Sequence, residues 1–153
     1  VSDSAGKACR SIALDFITPH IESREDNVAS NMPKYSRTAS MEGISIAWVT
    51  SFKVTNSVAF NEVISEVTSV VGTKEGDKRG YWYNVMGGEG ATHFVTTPYK
   101  NFADIDVERD GIWTAYESVK GKAKTKEMRE KITASFDEIW SYVYTLEEDL
   151  SLN

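Results

Sequence analysis

From Gly43 onward the chain alternates between two hydrophobic periods. Residues Ile44 to Val54 are rich in β-branched and aromatic side chains, which predicts a strand. Phe60, Val63, Ile64, Val67, Val70 and Val71 then recur at three and four, the spacing of an amphipathic helix. Asn56 or Ser57 can cap that helix, since either side chain can accept from the exposed N–H groups of a first turn. Its end is expected near Gly72. Gly80 to Met86 and Ala91 to Thr97 read as two further strands joined by Gly87-Gly88-Glu89-Gly90, the second stopped by Pro98. Trp113, Tyr116 and Val119 suggest a short helix that Gly121 interrupts. Thr125 can cap a second, in which Met128, Ile132, Phe136 and Ile139 share one face. Trp140, Tyr142, Tyr144 and Leu146 then alternate as a last strand.

That order is βαββαβ. Its first strand–helix–strand step is a right-handed crossover, and two such units interleave into the ferredoxin-like arrangement. The fold class expected is therefore α+β: a four-stranded antiparallel sheet with helices on one face. Residues 43–153 form this domain, and residues 1–42 form an N-terminal arm that packs on it. Within the arm, residues 11–18 suit a strand or a helix equally, limited by Pro19, and residues 23–40 read as loop or short helix.

Helices cover one face of such a sheet, and the other should be polar if it meets water. Here Ile44, Ile46 and Trp48 lie on one side of the first strand, with Ala47 and Val49 on the other. Tyr81, Tyr83 and Val85 oppose Trp82 and Met86 in the second. Both faces are apolar. Either a second copy packs sheet to sheet, giving a homodimer, or the arm covers the face.

The formal charge of −6, from 23 acids against 17 bases, argues against nucleic acid and anionic membrane surfaces as partners. The basic run from Lys120 to Lys131, Arg129 included, alternates with Glu127 and Glu130 and reads as a solvated helix face. No apolar run approaches the length of a membrane span. The single cysteine, Cys9, rules out an intramolecular disulfide and has no His or acid beside it in a catalytic pattern. The chain begins at Val1, which slightly favours a periplasmic or secreted protein over a cytoplasmic one, although a trimmed boundary gives the same start.

Sharp chemical motifs are missing. The Gly87–Gly90 run lacks the Lys-Ser/Thr of a phosphate loop and precedes a strand. Two distant histidines and one cysteine make no zinc site, and no cofactor or metal is expected. His20 reads as a surface or packing residue. Asp104, Asp106, Glu108 and Asp110 lack the glycine and terminal glutamate of a calcium loop and read as a solvated loop.

One geometric inference remains. If the turn is Gly87 to Gly90, counting outward sets Val85 opposite Thr92, Asn84 opposite His93 and Trp82 opposite Val95. An imidazole beside an amide, walled by an indole, makes a polar spot in an apolar pocket, and His titrates near neutrality. Asn84 and His93 are thus candidate catalytic residues, and Trp48, Trp82, Asn84 and His93 candidate ligand-binding ones. The plain alternative is a satisfied pair of sheet residues. Trp48, Trp82, Trp113 and Trp140 can line a pocket for a planar ligand or serve as core and interface.

The order of elements, the GYWYNVMGGEGATHFVTTPYKNFADI segment from Gly80 to Ile105 and the closing SYVYTLEEDLS from Ser141 to Ser151 resemble the dimeric α/β-barrel superfamily. That group includes antibiotic-biosynthesis-monooxygenase-like and stress-responsive barrel proteins. The resemblance covers residues 43–153 and implies a homodimeric barrel. Two functions follow from it: a small ligand-binding or interaction protein without catalysis, or a cofactor-independent monooxygenase-like enzyme acting on an aromatic or haem-like substrate.

Overall fold

The computed structural model describes residues 4–22 and 26–147. Its elements run α1 (Ser4–Ile12), β1 (Val28–Asn31), β2 (Ile46–Val54), α2 (Ser57–Glu75), β3 (Tyr81–Gly87), β4 (His93–Tyr99), α3 (Ile112–Thr133) and β5 (Phe136–Thr145). All strand pairs are antiparallel, in the order β1-β3-β4-β2-β5. The last four of these have the ferredoxin-like order, and α2 and α3 lie against one face. The fold is α+β, as the periodicity predicts.

The sheet has one strand more than expected. β1 comes from the segment read as loop or short helix, and it pairs Ser30 with Asn84 and Asn31 with Tyr83. Four residues, Val-Ala-Ser-Asn, are too short to show a period, so pairing with the β3 edge and not local pattern makes this strand. The ladder continues past it: Met32 N–H donates to Trp82 O (2.8 Å), Trp82 N–H to Ser36 Oγ (2.8 Å) and Arg37 N–H to Gly80 O (2.9 Å). Asp77 holds the next residues, accepting from the N–H groups of Thr38 and Ala39 at 3.1 Å. Burial pushes the Asp77 carboxyl up, but those two donors and Lys78 N–H outweigh it and keep it below the usual carboxylate range. Near the N-terminus, α1 resolves the strand-or-helix ambiguity towards helix and leads into short π and 3-10 turns over residues 13–20. Ile12, Leu14, Phe16, Ile17 and Ile21 stay exposed there.

Asn56 caps α2, its Oδ1 accepting from Ala59 N–H at 3.1 Å. The helix runs through Gly72 to Glu75 and ends at Gly76, whose φ of 89° is left-handed. Gly72 is an internal residue because a Cβ there would lie 2.9 Å from Lys78 Cγ: it serves close approach and not termination. Pro98 does not stop β4. It pairs with Ala47 beyond Thr96, the last residue joined to β3, a strand-end position where proline is tolerated. β5 begins at Phe136, earlier than predicted. Phe136 and Ile139 continue the spacing of Met128 and Ile132, but the chain turns at the fully buried Ser135, whose carbonyl accepts from Thr55 and Asn56 N–H.

α3 is assigned as one helix yet is broken at Gly121 (φ 79°, ψ 166°), a region closed to side chains. Thr125 does not cap its second half. The hydroxyl donates back to Gly121 O at 2.9 Å.

Two apolar clusters hold the layers together. Val63, Val67 and Val71 of α2 meet Ala115, Tyr116 and Met128 of α3. Phe60 and Ile64 of α2 meet Phe52 and Trp82 of the sheet, with Met32 and Tyr35 of the arm packed alongside.

Candidate functional site

Ile132 packs against both clusters, and a cavity of about 520 Å³ beside it lies between the sheet and the helices. That is within the usual range for a small-molecule site. Register explains the sheet wall. Trp48 pairs with Thr97, Thr50 with Val95 and Phe52 with His93, while Trp82 pairs with Val95. Paired residues share a face, so Trp48, Thr50, Phe52, Trp82, Val95 and Thr97 all line the cavity. Val63, Val67 and Val71 close it from α2, and both halves of α3 reach it, Ile112 and Trp113 from one and Arg129 and Ile132 from the other. The break at Gly121 lets one helix supply both. Lining residues that water still reaches include Trp48, Arg109, Arg129 and Ile139, and these mark the mouth.

Phe52 and Trp82 set the floor, with Phe60 packed behind them. Phe52 stacks on Trp82 at 5.8 Å between centroids, and Phe60 meets both edge-on at 5.2 and 6.0 Å. The indole of Trp82 therefore has little freedom.

The hairpin pairs Asn84 with His93, the register counted from the turn. Of the four residues picked from the sequence as ligand-binding, Trp48 and Trp82 line the cavity, whereas Asn84 and His93 do not. His93 is buried under α2, 5.1 Å from the Phe60 ring. Its Nδ1 hydrogen-bonds the Thr92 hydroxyl (3.1 Å) and not Asn84. Burial pushes its pKa below the ordinary value.

A pH effect follows. The unfolded chain takes up a proton on this imidazole near the ordinary pKa of about 6.5, and the folded chain resists it. Stability is then full above that pH and is lost as pH falls through the lower, folded pKa. Urea midpoints measured from pH 7.5 to 5 should fall for the native chain and fall less for His93→Gln. Equal slopes would remove His93 as the cause.

No cluster of three or more His, Cys, Asp or Glu able to hold a metal occurs among the described residues, and no described helix is long and apolar enough to cross a membrane.

Neither a family model nor a curated protein matches the chain. One solved structure, described as an anthrone oxidase-like protein, overlaps 97% of this chain and 70% of its own, with a TM-score of 0.39 and 10% identity. So loose an overlap says nothing about chemistry here.

The residues that sequence reasoning passed over are Arg109 and Arg129. Both were absorbed into charged runs, one acidic and one basic, whose bulk is indeed solvated.

Proposed function

We propose that this is a small-ligand-binding protein whose site is the cavity between the sheet and the helices, and that the ligand is planar and mainly aromatic. The observation that carries this reading is the cavity itself, walled by three indoles, Trp48, Trp82 and Trp113. Flat apolar walls favour a flat apolar guest, which releases water from both surfaces on entry. Asn84 and His93 lie outside the lining, which is why binding and not oxygenation is the reading put forward.

Naphthalene-2-carboxamide is a suitable probe. Its titration should quench tryptophan fluorescence saturably, and Thr97→Trp, which fills the cavity from β4, should abolish the quench. Saturable binding unaffected by Thr97→Trp would place the ligand elsewhere.

We further propose that the uncovered sheet face pairs with a second copy. Val49, Tyr83 and Phe94 share that face with Tyr142 and Tyr144, which are exposed, and Tyr83 stacks on Phe94 at 4.7 Å. Among the described residues the arm meets this face at Tyr81, where Arg37 stacks on the ring and Ala39 O accepts from the hydroxyl. Light scattering should give twice the chain mass, and Phe94→Glu should halve it. A native mass of one chain would sink the dimer.

A further inference from the structure

We propose that the ligand carries an anionic group, a carboxylate or its sulfonate or phosphate equivalent, and that Arg109 and Arg129 hold this group at the mouth of the cavity. The proposal rests on the binding reading above and adds the chemistry of one end of the ligand.

The charges lining the cavity are all of one sign. Arg79, Arg109 and Arg129 contribute to its wall, and no Asp, Glu or Lys does. In a chain with formal charge −6 that is against the average. Arg79 is already occupied: its Nε and Nη2 donate to the two Glu75 oxygens at 2.9 and 2.5 Å. Arg79 accordingly holds the Glu75 carboxyl below its usual range, and Arg109 adds to this from farther off.

Arg109 and Arg129 are not taken up by ion pairs of the kind that Arg79 and five lysines make. Lys53, Lys74, Lys124, Lys126 and Lys131 each have a carboxylate within 4.0 Å. Among the described residues, neither Arg109 nor Arg129 has one. Each guanidinium instead lies over an aromatic ring of the cavity wall, Arg109 6.0 Å from the Tyr99 centroid and Arg129 5.9 Å from that of Trp113. Stacking uses the flat face of a guanidinium and leaves its N–H edges free, the geometry that receives a carboxylate. Two uncharged donors lie on the same wall: the hydroxyls of Tyr99 and Thr97 have no hydrogen-bond partner among the described residues. An aromatic acid would thus place its rings among the indoles and its carboxylate among donors otherwise met only by water.

The test compares naphthalene-2-carboxylate with naphthalene-2-carboxamide, two probes of nearly the same shape that differ in charge. A charge-assisted hydrogen bond predicts about tenfold tighter binding of the carboxylate at low salt, with the preference shrinking as salt rises. Arg109→Gln/Arg129→Gln should erase the preference, lowering carboxylate affinity far more than carboxamide affinity. Both side chains are exposed, so the double variant should fold, which its thermal melt checks. Lys74→Gln, outside the lining and paired with Asp110 at 3.8 Å, should keep the preference and so separates a specific contact from the general field. Equal affinity of the two probes for the native chain, or a preference that survives the double variant, overturns the anion proposal and leaves the binding reading standing. Failure of both probes to bind overturns both.

Discussion

Phe60→Ala should cost about 3–5 kcal/mol of folding stability, the usual loss for a fully buried phenyl group in a packed core. Phe60 is 0% exposed and is the only side chain of α2 in ring contact with Phe52, Trp82 and His93 together. Truncation leaves a void that β2, β3 and β4 cannot close, because their spacing is set by backbone ladders on both sides. Single domains have only about 5–15 kcal/mol in hand, so this one change removes a large share. Urea denaturation should show the lower midpoint with a slope close to native. Phe60→Leu, which keeps most of the volume, should lose far less. A loss under about 1 kcal/mol for the alanine variant would mean that the ring cluster does not anchor α2 to the sheet. Weaker binding of the naphthalene probes should accompany the loss, since Trp82 would be released from one of its two phenyl supports.

The second large effect is expected at Gly121. Its backbone angles belong to a region that only glycine populates, and a side chain there costs about 1–3 kcal/mol. A Cβ would meet nothing within 4 Å, so the penalty is purely conformational. Gly121→Ala therefore drives the break in α3 towards regular helix. The two halves would then swing relative to each other, carrying Trp113 with one and Arg129 with the other. Probe affinity should fall along with stability. Gly111→Ala is the contrast: its φ of −55° suits any residue and its Cβ would approach only Thr114 Oγ1, at 3.9 Å. That variant should match the native chain in both measurements. If Gly121→Ala binds as tightly as native, the break does not shape the cavity.

Legibility from the sequence followed the locality of the forces. α2 was legible because its apolar residues keep helical spacing for about three turns and Asn56 is free to cap it. The β3–β4 register was legible because a glycine-rich turn fixes the count and strand pairing then has no freedom. β1 was not, since its strand geometry is borrowed from β3. The start of β5 was misread because Phe136 and Ile139 fit two periods, and only Ser135, seated against Thr55 and Asn56, decides between them. Trp48 and Trp82 line the cavity because their strand parity puts them on the helix face. The cavity itself, with Arg109 and Arg129 in its wall, was not legible, because a void has no sequence signature: it exists where two broken halves of a helix hold themselves off a sheet.

The sheet also has unequal borders. The β3 border is sealed by β1 and by the segment up to Arg37, whereas among the described residues β5 pairs with β2 alone. From Ile139 to Leu146 this outer strand carries no charge and no proline, and it is rich in aromatic and β-branched residues. Such a stretch is a ready template for uncontrolled stacking of chains. Charge stands on either side of it, Asp137 and Glu138 before and Glu147, Glu148 and Asp149 after. These acids act as gatekeepers, and removing them by substitution should turn the strand from a structural border into a site of aggregation.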